Sequence, residues 1–447
     1  MARPKSTDLR RLLTSFVPSR QLTDLAAKAG VTQRRRKVSV VAFFWTLVLG
    51  FGSGRARTLA GLRRAYERAT RTTLVPSAFY DRFTVSLVRF LKLIVGQLLV
   101  RVAEPARQLG GLLHGFRDLV LTDATVIRLH DLLERAFPAS RTNHTLAALK
   151  MHAVISVNGA GPRSVKITAD RVHDGPVFRV GRWVRDRLLL FDLAYFRFQL
   201  FSCIRRNGGF FIVRLKRSAN PLIVALHRRW RGQSVPLLGQ RVNDVLSRLQ
   251  RQTIDVEVEV TVKRRVYGGV RHTNRECFRL VAVRDPLTHT YHAYLTNIPP
   301  ERLGPEDIAQ IYAARWAVEL FFRALKRHYR AADMPSANRV IVEALVYAVL
   351  VTFVVSRAVL AALRQRLGAR GARVPDERWA ALFAELAGDL LKAVLRRGRA
   401  ARELAKEVRD ILLHEAVDPN ASRALLQARV EAGLQYQHRI SVGKGHA

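Results

Sequence analysis

The stretch LVLTDATVI, residues 119–127, decides the fold because it is an apolar, strand-forming run with a single acid, Asp123, inside it. A second apolar run, RLLLFD at 187–192, ends in Asp192. A carboxylate is costly in a sheet unless it is paired or binds a metal, and open α/β sheets carry their sites at the carboxyl ends of strands. The two acids therefore predict a functional site. Taken singly, Asp123 is equally explained as a hydrogen-bonded turn acid and Asp192 as a helix N-cap.

The residues between and after these runs alternate between strand and helix patterns. KMHAVISVN (150–158) and RSVKITADRV (163–172) flank a Gly-Ala-Gly-Pro turn and predict a hairpin. We expect a helix from Val177 to Arg185, and FFIVRLK at 210–216 predicts another strand. This alternation indicates an α/β fold with a mixed sheet.

The two ends of the chain have helical patterns, and a β-rich stretch interrupts the core. Strict alternation in IDVEVEVTVKRR (254–265) predicts a strand, and helix returns at Pro305. The segment 58–83 fits either a small DNA-binding helix–turn–helix or a plain helical hairpin. We predict five parts: a helical N-terminal region (1–112), a first part of the core (113–217), a β-rich insertion (218–300), a second part of the core with its long helix (301–345) and a helical C-terminal region (346–447).

The segment IYAARWAVELFFRALKRHYR (311–330) predicts a helix with one polar stripe. At 100° per residue, four polar residues fall within a stripe about 60° wide at the border of the apolar face. These residues are Tyr312, Arg315, Glu319 and Lys326. The stripe fits a helix that presents a carboxylate to a cleft, and it fits equally an amphipathic helix with an ordinary Arg315–Glu319 pair.

The charge balance indicates a polyanionic partner. The chain has 447 residues with 76 Lys and Arg against 35 Asp and Glu, a net charge of +41, and 64 of the basic residues are arginine. Arginine binds phosphate in a bidentate manner, and a field of this size concentrates polyanions at the surface. We therefore expect nucleic acid as the partner, with arginine-rich codon usage of a GC-rich genome as the alternative cause.

Cysteine usage and apolar patterning indicate a cytoplasmic, soluble protein. Cys203 and Cys277 permit at most one disulfide and no zinc site of four cysteines. The N-terminus lacks the apolar segment of a signal peptide. The uncharged stretches Val38–Ser53 and Ala344–Ser356 are shorter than a membrane span and predict buried helices.

Two Asp and one Glu without a histidine cluster predict a metal site made of oxygen ligands alone. Such ligands select Mg²⁺ or Mn²⁺ over zinc. Two ions of this kind, about 3.5–4 Å apart, activate water and stabilise both oxygens of an in-line phosphoryl displacement. In a strongly basic chain, the pattern points to phosphodiester chemistry on DNA or RNA.

Together, these motifs resemble the DDE transposases of bacterial insertion sequences, in particular the insertion-sequence-four branch with its ribonuclease H-like core. The resemblance covers about residues 117–345. It rests on LTDAT around Asp123, FDLAY after Asp192, and the Tyr-x2-Arg-x3-Glu-x6-Lys spacing from Tyr312 to Lys326. Supporting pieces are KMH at 150–152 and YLTNI at 294–298. One departure is Ala194, where the family often has glycine before the tyrosine.

The resemblance implies a role for each residue of the signature. Asp123, Asp192 and Glu319 would be the catalytic, metal-binding triad for two Mg²⁺ or Mn²⁺ ions. Tyr312, Arg315 and Lys326 would hold DNA phosphates, and the β-rich stretch would be the family's insertion domain. The N-terminal region, 1–112, would bind DNA ends, and the C-terminal region, 346–447, would support dimerisation. Family members cut at terminal inverted repeats and join the exposed 3′-hydroxyl to target DNA, some of them through a hairpin intermediate.

Several other residues receive plainer interpretations. Asp170 and Asp174 are candidates for spare metal ligands, but we expect Asp174 to be a helix-start acid instead. We expect His152 and His173 to be structural or solvated. Glu257 and Glu259 should lie on a solvated edge strand. Candidates for base stacking in the inserted region are Trp230, Tyr267 and Phe278, with core packing favoured for Phe278. Basic runs that are either solvated faces or phosphate contacts are Arg34–Lys37, Arg228–Arg231, Lys263–Arg265 and Arg396–Arg402.

We therefore expect a prokaryotic, nucleoid-associated cut-and-paste transposase that acts on double-stranded DNA as a homodimer, away from membranes. The fold class expected is α/β, with a ribonuclease H-like core interrupted by a β-rich insertion and flanked by helical regions. Two alternatives use the same core: a metal-dependent nuclease without strand transfer, and a catalytically inactive DNA-binding descendant of a transposase.

Overall fold

A computed structural model of the chain describes residues 8–31, 38–103, 109–140, 144–157, 162–227, 236–267 and 270–419. The helices are α1 Leu9–Phe16, α2 Ser19–Ala29, α3 Val40–Thr46, α4 Leu59–Thr70, α5 Pro76–Tyr80, α6 Val85–Ala103, α7 Asp174–Val177, α8 Phe198–Arg206, α9 Val242–Leu246, α10 Pro305–Ala313, α11 Ala317–Arg327, α12 Arg339–Leu367, α13 Asp376–Leu395 and α14 Arg399–Glu415. The strands are β1 Asp118–Arg128, β2 Ala148–Ser156, β3 Pro162–Ala169, β4 Arg187–Phe191, β5 Phe210–Arg214, β6 Leu222–Leu226, β7 Thr253–Tyr267, β8 Val270–Arg284 and β9 Tyr291–Thr296. The predicted α/β class is confirmed.

The described strands form one mixed sheet in the order β3-β2-β1-β4-β5-β9-β8-β7-β6. The pairs β1–β4 and β4–β5 are parallel, and the other pairs are antiparallel. Because β9 pairs with β5, the strands predicted as an insertion extend the same sheet as the core. The division of the chain into domains stays a prediction.

The sheet separates two hydrophobic cores. Residues of β1 alternate between them, with Leu119 and Leu121 in a core shared with the helical regions and Val120 in a second core with Leu189 and Phe191. This alternation follows from the two-residue period of a strand. The apolar runs that predicted β1 and β4 are continuous because both faces of these strands are buried.

The N-terminal and C-terminal helical regions pack on each other. Helix α3 continues as a π-helical turn, Leu47–Phe51, and Gly52 lies so close to α12 that a side chain there would meet Thr352. The Thr352 hydroxyl donates to the Val48 carbonyl at 2.7 Å, which satisfies a carbonyl of the irregular turn. By length and composition, α12 is apolar enough to cross a membrane, but 83% of its most apolar window is buried inside the protein, as in a core helix. The burial predicted for Val38–Ser53 and Ala344–Ser356 is confirmed.

The helix predicted from Val177 to Arg185 is wrong. Helix α7 ends at Val177, Phe178 is extended, and only a 3-10 turn, Arg182–Val184, follows. The reason is tertiary packing, because the Phe178 ring turns into the core and meets Phe191 edge-on at 5.1 Å. In the segment 58–83, α5 is only five residues long. This length favours a packed helical hairpin over a helix that reads a DNA groove.

Candidate active site

The parallel pairing of β1 with β4 brings together Asp123, in the middle of β1, and Asp192, just after the end of β4. In the parallel register, Thr122 pairs with Phe191, and Asp123 and Asp192 are the next residues on their strands. Both acids continue the face occupied by Leu121 and Leu190, on which α11 packs. The position predicted for Asp192, just after the carboxyl end of a strand, is confirmed.

Asp123 is a mostly buried acid among other charges. Its side chain is 20% exposed, and its Oδ1 accepts a hydrogen bond from the Ala124 N–H at 2.8 Å. Burial, helped by the neighbouring carboxylates of Asp192 and Glu319, raises the pKa of Asp123 to about 6 against the opposing effects of the Ala124 N–H and the Arg315 guanidinium. The local hydrogen bond matches the turn-acid interpretation, but the surrounding carboxylates show that Asp123 belongs to a cluster. A cation bound here would relieve their repulsion.

Asp192 occupies the N-cap position of a 3-10 turn, Leu193–Tyr195, as the plainer interpretation predicts. However, its side chain makes no capping hydrogen bond. The half-buried carboxylate instead lies near that of Asp123, whose pKa it raises.

The predicted helix 311–330 is divided by a 3-10 turn, Ala314–Trp316, into α10 and α11. Tyr312, at the end of α10, donates its hydroxyl to the Phe191 carbonyl at 3.0 Å. Its ring also lies 5.1 Å from that of Tyr294. Tyr312 thus fixes the helix to the residue that precedes Asp192, a positioning contact that the spacing of the motif did not reveal.

Arg315 connects the helix with the strand-borne acids. Its guanidinium lies 3.0 Å from Glu319 Oε1 and 4.0 Å from Asp123 Oδ2. Burial acts to lower the pKa of Arg315, but the combined effect of Tyr312, Asp192 and Glu319 raises it. The i,i+4 pair of the plainer interpretation is present, and the same guanidinium also faces both aspartates.

Lys326 lies away from the acids. It is half-buried on α11, and burial together with the nearby Arg128 lowers its pKa. The polar stripe therefore has a carboxylate end at Glu319 and a cationic end at Lys326. Between Arg315 and Glu319, Trp316 is 51% exposed, an aromatic surface on which a base can stack and to which the sequence analysis gave no role.

The acids supply suitable ligands for Mg²⁺ but do not form a closed metal site. Within the described ranges, no group of three or more His, Cys, Asp and Glu side chains is close enough to hold an ion together. Asp123 and Asp192 follow paired residues on adjacent strands, whereas Glu319 is engaged by Arg315. Carboxylate oxygens are the hard donors that Mg²⁺ and Mn²⁺ prefer, so the donor type fits these ions.

The acids Asp170 and Asp174 belong to a separate ion-pair cluster. Lys150 Nζ lies 3.5 Å from Asp170 and 3.4 Å from Asp174, and Asp170 also accepts hydrogen bonds from Ser140. Asp174 begins α7, as predicted for a helix-start acid. His152 is buried, with its Nε2 2.9 Å from the Thr168 hydroxyl, and His173 is exposed, in agreement with their structural and solvated interpretations.

Of the remaining candidates, the structure describes Phe278, Glu257 and Glu259, and several others lie outside the described residues. Phe278 is buried against Phe211 in the second core, so the packing interpretation is confirmed. Glu257 and Glu259 are not on an edge strand, because β7 pairs with both β6 and β8; this expectation is wrong. They face His227 and Arg275 instead. Outside the described residues lie Trp230, the side chains of Tyr267, Arg264 and Arg265, and the runs Arg34–Lys37 and Arg228–Arg231.

Comparison with known proteins identifies the family. The family model described as "Transposase DDE domain" matches residues 114–354, more than half of the chain, and the match includes Asp123, Asp192 and Glu319. The chain belongs to the DDE transposase family. This family generally uses divalent metal ions. The family thus agrees with the resemblance drawn from the motifs, at the level of insertion-sequence transposases.

Curated relatives carry related names. The transposase for insertion sequence element IS231F of Bacillus thuringiensis subsp. israelensis is 20% identical over 79% of this chain and 80% of its own length. The probable transposase for insertion sequence element IS5377 of Geobacillus stearothermophilus is 25% identical over 47% of this chain, which spans about half (49%) of that protein. Among solved structures, a piggyBac transposase synaptic complex with hairpin DNA matches with a TM-score of 0.49 and 9% identity over 94% of this chain and 87% of its own.

Proposed function

We propose that this DDE transposase moves an insertion sequence by cut-and-paste transposition. In this proposal it cleaves DNA at terminal inverted repeats and joins the 3′-ends to a target. The observation that carries the proposal is the meeting of Asp123, Asp192 and the Arg315–Glu319 pair on one face of the sheet. The finer assignment, to the insertion-sequence-four branch with a ribonuclease H-like core, rests on the Tyr312-to-Lys326 spacing and on β1, β4 and β5 as a parallel centre.

The proposed chemistry assigns the acids to metal binding. Asp123 and Asp192 would hold one ion and Glu319 would share the second. Bound divalent ions lower the pKa of water and stabilise charge on the phosphoryl oxygens. Tyr312 and Arg315 orient the acids through their contacts with Phe191, Asp123 and Glu319. Arg315 and Lys326, together with Tyr312, are proposed to contact phosphates next to the scissile bond.

The partners follow from the reaction. Two DNA ends must be joined in one event, so we propose a homodimer in the synaptic complex, acting on double-stranded DNA. The site of action is the bacterial cytoplasm at the nucleoid. The net charge of +41 supports a DNA partner of this kind.

The decisive experiment uses the DNA that flanks the gene. Purified protein with Mg²⁺ and a duplex that carries the element end should nick the duplex and transfer its 3′-end to a target, and Glu319→Gln should do neither. Cleavage without transfer products would favour the nuclease alternative. Sequence-specific binding without cleavage by either protein would favour the inactive descendant.

A further inference from the structure

A cavity of about 280 Å³ lies on the face of the sheet opposite to the acids. Thr122, His152 and Ser164 line it from β1, β2 and β3, and the segment 177–183 covers it. These three residues share a face because the antiparallel register places Thr122 opposite Val154, Val154 opposite Ser164, and His152 opposite Lys166. Asp123, one residue along β1, points to the other side.

The covering segment is fixed to the edge strand. Lys166 Nζ donates to the Val177 carbonyl at 2.9 Å, and the Trp183 indole N–H donates to the Arg179 carbonyl at 3.1 Å. Arg163 lies over the Trp183 ring at 4.9 Å. The cavity is therefore a built feature with defined walls.

Three residues that line the cavity, Thr122, His152 and Tyr195, carry buried polar atoms without a hydrogen-bond partner among the described residues. Thr122 and Tyr195 are each 1% exposed. Within the described part of the chain, neither the Thr122 hydroxyl nor the Tyr195 hydroxyl has a hydrogen-bond partner. Buried hydroxyls are normally satisfied, because leaving one unpaired costs roughly 1–3 kcal/mol. Asp174, the acid that contacts the cavity wall at His152, is already paired with Lys150.

The mouth of the cavity is cationic. Arg163, Lys166 and Arg179 line it, and none of its lining residues is acidic. Among the described residues, none of the three cations forms an ion pair with a carboxylate. Guanidinium groups beside hydroxyl donors are a typical phosphate-binding set. The volume is near the lower end for small-ligand pockets, roughly 300–1,000 Å³, and is far too small for a double helix.

A basic groove leads to this cavity. It runs between α2 and α6, with a volume of about 760 Å³, and Val100 lines both the groove and the cavity. The cations that line the groove are Lys28, Arg89, Lys92 and Arg101. Groove and cavity therefore adjoin each other at Val100.

We propose that the cavity binds one backbone phosphate, with its nucleotide, from the DNA on which the enzyme acts, and that the groove between α2 and α6 guides that strand to it. The inference rests on the proposed function. It separates anchoring of DNA from the chemistry, because the anchoring site and the acids lie on opposite faces of β1.

The first test measures binding of a fluorescein-labelled element-end duplex by anisotropy over a range of salt. Arg163→Ala/Arg179→Ala should weaken binding about tenfold and reduce the log–log salt slope by about 0.9 for each phosphate released. Arg248→Ala/Lys406→Ala removes the same charge from two exposed positions elsewhere and should leave the slope within about 0.3 of that of the unmodified protein. Equal slopes and affinities for the two double variants would overturn the proposal.

A second variant fills the cavity without changing the charge. Ser164→Trp, at a half-buried position of the edge strand, should weaken duplex binding by a similar factor, with the thermal melting curve as the check on folding. Unchanged binding by a folded Ser164→Trp protein would overturn occupation of the cavity by DNA. A third result would also overturn occupation of the cavity by DNA. If millimolar dAMP binds to the unmodified protein but not to the cavity variants, and both cavity variants bind the duplex normally, the cavity holds a free nucleotide.

The outcome is distinguishable from failure of the proposed function. If the unmodified protein cleaves the element end and Glu319→Gln does not, while both cavity variants bind normally, only the inference about the cavity fails. If the unmodified protein neither binds nor cleaves the duplex, the proposed function fails and the cavity proposal fails with it.

Discussion

The two faces of the sheet at β1 have opposite chemistry although they are one residue apart in the chain. On one face, Asp123 lies with Asp192 and the Arg315–Glu319 pair. On the other face, Thr122 forms the base of the cavity with the cationic mouth. Successive strand residues point to opposite sides, so a single step along β1 leads from the acid cluster to the cavity, although Tyr195 at the cavity base still lies within electrostatic reach of Asp123 and Asp192. A carboxylate cluster repels DNA phosphates, and cations placed on the far face can hold DNA without neutralising the acids.

The largest effects should separate the two faces by function. Asp123→Asn and Asp192→Asn should each reduce cleavage of the element end by about a thousandfold or more and leave duplex binding within about twofold, because the amide keeps the shape but removes the charge. The cavity variant Arg163→Ala/Arg179→Ala should bind the duplex more weakly. Its single-turnover cleavage rate at saturating protein should nevertheless stay close to that of the unmodified protein. Parallel loss of binding and cleavage in all three proteins would break the comparison.

A buried ion pair in the β-rich half of the sheet helps to hold α10, the helix that carries Tyr312. Arg279 and Asp255 form a buried bidentate pair, with nitrogen–oxygen distances of 2.8 and 2.6 Å, between β8 and β7. Arg279 Nη1 also donates to the carbonyls of Ile298 and Leu303, in the connection that leads to α10. The pair therefore joins the β-rich half of the sheet to the helix that carries Tyr312.

Arg279→Ala should lower the free energy of unfolding by about 3–5 kcal/mol, because it leaves the Asp255 carboxylate buried without its partner. Chemical denaturation followed by circular dichroism measures this loss. The exposed pair Arg399–Glu403 is the matched control, and its Arg399→Ala change should cost less than about 0.5 kcal/mol. A cost for Arg279→Ala no larger than that of the control would show that the connection is held by other contacts.

The apolar runs and the spacing of the acids were sufficient to predict the centre of the molecule. Asp123 lies inside its strand and Asp192 just after the end of its strand, both as predicted, because runs such as RLLLFD can be buried on both faces only in a central sheet. The role of Tyr312 as a contact to the Phe191 carbonyl could not be predicted, because it depends on how α10 approaches β4. Similarly, the helix expected at Val177–Arg185 is replaced by extended backbone, since local propensity is weaker than the packing of Phe178. The cavity was not predicted, because its walls come from six separate segments of the chain.

The buried acid should also affect stability in a pH-dependent way. The pKa of Asp123 is about 6 in the folded chain, against 3.8 as its ordinary value, with burial as the largest cause. The folded state therefore binds more protons than the unfolded state between these values, and stability falls as the pH rises from about 4 to about 6. Without divalent ions, Asp123→Asn should be more stable than the unmodified protein by about 1–3 kcal/mol at pH 8 and equal to it at pH 4.

Thermal melting in a chelating buffer at the two pH values measures this difference. Asp285→Asn is the control, because the N–H groups of Leu287 and Thr288 lower the pKa of this half-buried acid instead of raising it. This control should show no gain in melting temperature at pH 8. If Asp123→Asn does not raise the melting temperature at pH 8, the Asp123 carboxylate is well solvated and its charge does not destabilise the folded state.

The smallest expected effect concerns the cationic end of the polar stripe. Lys326 and Arg128 lie together at the far end of α11, and their repulsion is one reason that the pKa of Lys326 is lowered, after burial. A phosphate between them would relieve this repulsion, so Lys326→Ala should reduce the log–log salt slope of duplex binding by about 0.9, one phosphate contact. Because Lys326 is on the acid face, the loss should add to that of Arg163→Ala/Arg179→Ala in the triple variant. If the triple variant has the same log–log salt slope as the cavity variant, Lys326 makes no phosphate contact and the DNA lies only on the cavity face of the sheet.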